Sequence, residues 1–178
     1  MKNALIIFRY LVVCGIFASH QYTLAQIETG EMPVSFEHPE ILNIVTPLIS
    51  VEMPVFEEEE ETNEKKGRYG IPIDVSIDFL NQAQQSELPD GGTIWRLRIA
   101  SSDAGYINLY FSNFYIPRGG KLFAYGDSNV RGAFTDANNK ESNKFALGRV
   151  YGDEITLEYF QPADVVEPAS LELFRIVH

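Results

Sequence analysis

From residue 70 onward apolar and polar positions alternate. In 71–79 (Ile-Pro-Ile-Asp-Val-Ser-Ile-Asp-Phe) every odd-numbered residue is apolar and every other one is polar or proline. That is the period of a half-buried strand, and Pro72, which cannot donate to a ladder, predicts its start or a sheet edge. The alternation returns at 93–100, where Trp95, Leu97 and Ile99 oppose Arg96 and Arg98, and at 106–111, where Ile107, Leu109 and Phe111 share a face. Strands are also predicted at 121–125, 130–134, 145–151, 155–160 and 171–177.

Turn chemistry separates these runs. Leu-Pro-Asp-Gly-Gly at 88–92, Ile-Pro-Arg-Gly-Gly at 116–120 and Gly-Asp-Ser-Asn at 126–129 carry residues that preset φ or accept positive φ. A polar loop occupies 136–143, and 79–87 holds at most a turn or two of helix. No long amphipathic helix and no internal repeat is visible. About eight strands at this spacing predict an all-β domain over 70–178, an antiparallel β-sandwich of jelly-roll-like type with Trp95 in its core.

The preceding segment, 26–69, reads differently. Pro33, Pro39, Pro47 and Pro54 punctuate short apolar patches, and five consecutive glutamates follow at 57–61. Adjacent carboxylates lie within one Debye length (about 8 Å), so they repel and favour an extended chain. The expectation is an irregular acidic leader. A helix with Glu61 facing Lys65, or a contact for calcium or a basic partner, is the alternative reading of that run.

Residues 1–25 have the layout of a secretory signal: Lys2, an apolar stretch over 4–17 broken by Arg9 and Tyr10, then Thr23-Leu24-Ala25 with small residues at the cleavage positions. The apolar run is shorter than the roughly 20 residues of a membrane span. Lipidation at Cys14 would need a small preceding residue, and Val13 is not one. Cleavage after Ala25 and a secreted, extracytoplasmic location are therefore expected, with no membrane association afterwards.

Removing 1–25 takes away the only cysteine, so the mature chain must be held by core burial without disulfides or cysteine-bound zinc. A domain of about 150 residues buries roughly 68–70% of its unfolded surface, which makes this feasible. Lys2 and Arg9 also leave, and 12 basic residues then face 25 acidic ones, a net charge of −13. Phosphate backbones repel such a chain, which argues against nucleic acid as a partner.

Catalytic patterns are missing. The mature chain keeps only His38 and His178, and Gly126-Asp127-Ser128 continues into Asn129-Val130 rather than the glycines of a serine-protease nucleophile loop. Glycine pairs at 91–92 and 119–120 precede no helix that would receive phosphate. Asp136 to Glu141 offers oxygens to calcium but lacks the glycine and spacing of an EF-hand loop. No catalytic residue, cofactor or metal ligand is assigned. The remaining candidates are aromatic: Tyr106, Tyr110 and Tyr115, of which the first two share the face opposite Ile107, Leu109 and Phe111. Such a row can bind a sugar or a partner protein, or be covered by a neighbouring segment such as the leader.

Ile94-Trp95-Arg96-Leu97-Arg98-Ile99-Ala100-Ser101, followed by Ala104-Gly105-Tyr106-Ile107-Asn108-Leu109, resembles a block in the N-terminal domain of bacterial secreted lysyl-endopeptidase-like serine proteases. The likeness continues through 114–125, Gly132-Ala133-Phe134-Thr135 with Asn138-Asn139, and 150–162, ending at Ile176-Val177-His178. It spans about 69–178, with Tyr106 where that family often has serine. The family reads on from there into a trypsin-fold catalytic domain. The resemblance thus implies a non-catalytic accessory or propeptide-like domain, a truncated or stand-alone copy, whose partner is a protease domain or another protein. A glycan- or surface-binding module is the alternative.

Overall fold

The computed structural model describes residues 26–53 and 70–178. The signal expected at 1–25 and the acidic run at 57–61 lie outside the described residues. Ten strands are described: β1 (Leu48–Ser50), β2 (Pro72–Asp78), β3 (Gln84–Glu87), β4 (Thr93–Ala100), β5 (Tyr106–Tyr115), β6 (Lys121–Tyr125), β7 (Val130–Phe134), β8 (Phe145–Tyr151), β9 (Glu154–Gln161) and β10 (Ser170–Val177). One sheet runs β1-β4-β9-β6-β7, with β3 also on β4, and the other runs β2-β10-β5-β8. The protein is an all-β sandwich, as the alternation predicts.

Its topology follows from nested pairing. β2 pairs with β10, β4 with β9, β5 with β8 and β6 with β7, all antiparallel. Folding that nested series over itself adds the β10–β5 and β6–β9 ladders and sends alternate pairs to opposite sheets. The result is a jelly roll. Inward residues of both sheets form one core, in which Leu97, Ile99, Leu109, Phe111, Leu157 and Ile176 are fully buried or nearly so. Trp95 joins this core at its margin, its ring 5.5 Å from that of its cross-strand partner Tyr159.

Local chemistry explains the connections. In 88–92 the Gly91 amide bonds the Leu88 carbonyl and Gly91 sits at φ +85°, open to glycine at little cost. In 116–120 the Gly120 amide bonds the Pro117 carbonyl and Gly119 sits at φ +95° before β6. Asp78 accepts from the Asn81 amide at 3.3 Å and so starts the single helical turn α1 (Phe79–Gln82), which buries Phe79.

Two strands have no signature in the sequence. β3 is Gln-Gln-Ser-Glu, and its pairing comes from the free edge of β4. β1 lies in the proline-punctuated segment and pairs with β4 in parallel, Ile49 opposite Ile99. The rest of 26–47 is irregular apart from short turns at Val34–Glu37 and Pro39–Leu42, but it is packed down. The Thr29 and Gly30 amides bond carbonyls at the β7 edge, residues 33–44 cross the outer face of the larger sheet, and the Pro47 carbonyl accepts from Arg98 at its far side. The described part of the leader, 26–53, is a strap over one sheet.

Candidate functional site

Tyr106 and Tyr110 project from β5 onto the outer face of the smaller sheet, as their spacing predicts. Tyr106 is the ladder partner of Tyr151 on β8, and the Arg149 guanidinium lies 4.7 Å from its ring centre. Tyr110 is paired with Arg175 on β10, and the Phe174 ring meets it edge-on at 6.4 Å. Phe174 and Tyr151 are exposed, and between the two tyrosines the Asn108 Oδ1 is buried without a hydrogen-bond partner. Cation–aromatic contacts of this kind are worth about 0.5–1 kcal/mol at exposed sites. They hold the rings in place rather than the fold together.

Tyr115 does not join them. A bulge at Ser112 changes the alternation of β5 and carries the strand past the apparent break, so Tyr115 ends the strand roughly 30 Å from Tyr106. Its hydroxyl donates to Glu167 at 2.8 Å, and that carboxylate raises the Tyr115 pKa.

The opposite face carries a polar cluster that pattern alone does not reveal. On β4 and β9 the outward residues Arg96 and Glu158 face each other in the ladder. Alternation marks both as solvent-facing, yet Glu158 is fully buried and Arg96 is 4% exposed, because the strap lies over them. Glu158 accepts from the Ser35 amide at 3.0 Å, from the Ser35 hydroxyl, and from the Tyr125 hydroxyl at 3.1 Å. Arg96 donates to the carbonyls of Ile41 and Ile44. Beside these bonds, Ile41 packs with Leu88 and Ile94 in a second small core. Pro39 at the first position of its turn sets the φ that aims Ile41 inward. Burying one isoleucine is worth about 1.5–3 kcal/mol. Ion pairs Glu28–Arg131 and Glu31–Lys121 pin the start of the strap.

Burial first, and then the Glu158 carboxylate, push the Tyr125 hydroxyl up to about 12. A phenol whose folded pKa lies above its unfolded value of roughly 10 stabilises the fold while it keeps its proton. That contribution is whole below about pH 10 and is lost as pH rises through about 12, roughly 2–3 kcal/mol in all. The stability gap between wild type and Tyr125→Phe should therefore shift against the wild type as pH rises from about 10 toward about 12. Urea unfolding of both proteins at a series of pH values checks this; a gap that stays constant refutes it.

The strap's outer side is apolar. Of the eleven large hydrophobic side chains exposed among the described residues, eight lie in 27–53, including Phe36, Leu42, Ile44, Val45 and Leu48. Val45 is 85% exposed. The same segment has no lysine or arginine, and Glu37, Glu40 and Glu52 add negative charge. Exposed apolar surface at this density marks interaction sites on soluble proteins.

Other polar positions have local duties. Ser101 Oγ lies 3.0 Å from His178 Nδ1, tying the end of β10 to the β4–β5 loop; at 1% exposure Ser101 is shut away from a substrate. In the 136–143 loop the Asn138 Oδ1 accepts the Thr135 amide, while Asn139 bonds both backbone groups of Ile116. Gly126-Asp127-Ser128 is a turn closed by the Gly126 amide on the Asn129 carbonyl. Among the described residues no cluster of three metal-ligating side chains occurs, and no helix is long and apolar enough to cross a membrane. No protein-family model matches the chain, and no solved structure matches it.

Proposed function

We propose that this protein is a non-catalytic, extracellular β-sandwich that acts through protein contact, in the manner of the accessory or propeptide-like domain preceding the catalytic domain in lysyl-endopeptidase-like serine proteases. The observation that carries this reading is the concentration of exposed apolar side chains on the strap, which a protein acting alone would gain by hiding. The ordered sequence blocks over 69–178 supply the class of partner. Because Val45 is 85% exposed, changing it alters the surface and not the fold.

The test uses residues 26–178 and a lysyl-endopeptidase-like catalytic domain in a titration calorimeter. A complex that Val45→Glu with Leu48→Glu weakens about tenfold or more, with Tm unchanged, is the expected outcome. Absence of a complex at ~100 µM sinks the reading, as does cleavage of a lysyl peptide by the chain alone that a serine-directed inhibitor abolishes.

The exposed Phe174 and Tyr151 beside Tyr110 and Tyr106 favour a second reading, a glycan-binding face. A glycan array with a hit lost in Tyr110→Ala would support it. An empty array would remove it.

A further inference from the structure

Cleavage after Ala25 makes Gln26 the first residue of the mature chain. A glutamine in that place carries an amide carbon that its own α-amine reaches in an unstrained lactam ring. An N-terminal amine has a pKa of roughly 7.7–8.0, so an ample share of it is the neutral nucleophile near neutral pH. What such a reaction gains from a protein is a donor that holds and polarises the amide carbonyl.

The β7–β8 flank, where the strap begins, supplies one. Its edges are closed: the Thr29 and Gly30 amides bond carbonyls of β7, and Asn129 spans the β8 edge, donating to the Arg149 carbonyl at 3.1 Å and accepting the Tyr151 amide at 2.8 Å. Gln26 is half-buried there, and its Oε1 accepts from Arg131 Nη2 at 3.3 Å. The guanidinium is itself held in place. Its Nε donates to Glu28 at 2.8 Å, its Nη2 donates to the same carboxylate, and its Nη1 donates to the Arg149 carbonyl at 3.3 Å. Gly148 on β8 leaves room for the arrangement. A Cβ there would stand 3.0 Å from Arg131 Nη1 and 3.6 Å from Gln26 Oε1.

We propose that Gln26, once 1–25 are removed, becomes an N-terminal pyroglutamate with Arg131 as its oxyanion donor. The α-amine adds to Cδ, the Cδ–Nε2 bond breaks, and ammonia leaves with the proton that the amine gives up. Negative charge develops on Oε1, the atom already bonded to Arg131, and that oxygen ends as the lactam carbonyl on the same donor. The product places no ammonium beside the Arg131 guanidinium and offers no free amine to an aminopeptidase. The modification rests on the secretory reading of 1–25 and not on the class of partner.

The full chain is exported from a bacterial host, held at about pH 8 and weighed. The expected product is 26–178 lighter by one ammonia, with an amino terminus that resists sequential degradation. Gln26→Asn, whose amine would have to close a strained smaller ring, should keep its full mass. Residues 26–178 freed from a cleavable tag give the rate. Arg131→Ala should lose ammonia at least about tenfold more slowly, the worth of one hydrogen bond from a charged donor. In urea, where the contact is gone, the two proteins should convert at one rate, which separates the donor from any general effect of the substitution. A mature chain that begins at Gln26 and keeps its full mass and free amine overturns the proposal while the secretory reading stands. A chain that begins elsewhere, or retains 1–25, overturns both. Equal native-state rates for wild type and Arg131→Ala overturn the part assigned to Arg131.

Discussion

Replacing Glu158 by alanine should cost the fold about 3–5 kcal/mol and free the strap before the sandwich opens. The carboxylate is fully buried and receives the Ser35 amide, the Ser35 hydroxyl and the Tyr125 hydroxyl, and no water is needed to complete the set. Truncation leaves three donors unpaired in a dry place, and the penalty for such groups exceeds what each bond contributes when made. It also removes the negative charge opposite Arg96, a guanidinium that is 4% exposed and already has its Nε without a partner. Ser35→Ala alone should cost less, about 1–2 kcal/mol, since the carboxylate keeps two other donors. The double variant should then be little worse than Glu158→Ala, a coupling close to the whole Ser35→Ala cost of about 1–2 kcal/mol. Urea unfolding gives the energies, and amide exchange in 33–44 reports the strap. Full additivity, or unchanged protection of 33–44 in Glu158→Ala, contradicts the account.

This cluster also shows where the sequence is readable. Strands bounded by clear turn residues declare themselves: β6, β7 and β8 begin and end where the flanking turns predict, and β2 starts at Pro72 and lies at a sheet edge. The nested pairing was not legible, because the partner of each strand lies far along the chain and alternation carries no address. β5 runs to Tyr115 and not to Phe111, since the polar pair Ser112-Asn113 marks a bulge, not an end. β3 has no apolar residue to show.

The candidate site divides the same way. Tyr106 and Tyr110 share a face because the period of two holds between them, whereas Tyr115 lies beyond the bulge. Arg96 and Glu158 sit at positions that alternation assigns to solvent, and only the strap, in contact with them across 52 residues or more of sequence, turns them into an anchor. Buried polar residues under an irregular segment are a tertiary fact. In retrospect the signal was Ser35 and Ile41 among the prolines: one side chain able to donate to a carboxylate, one able to fill a gap above Ile94.

Phe145→Ala should be the most damaging truncation inside the main core, about 3–5 kcal/mol. Phe145 begins β8 in the smaller sheet, and its ring stacks on Phe114 at 4.2 Å and meets Phe134 edge-on at 5.2 Å. Phe134 belongs to β7 in the larger sheet, so this one ring joins the two layers at the closed flank. Phe111 completes the group, 5.4 Å from Phe114 and 6.2 Å from Phe145. A methyl in place of the ring removes its contacts with three aromatic neighbours at once. The neighbours cannot close the gap, because Phe111 and Phe114 are fixed to β5 in one sheet and Phe134 to β7 in the other. Phe145→Leu keeps most of the volume and should cost only about 1–2 kcal/mol. The sequence has a single cysteine, so no internal disulfide offsets the loss. Thermal and urea unfolding of both variants supply the comparison. If alanine and leucine prove equally mild, the flank relaxes freely and the two sheets are held together elsewhere.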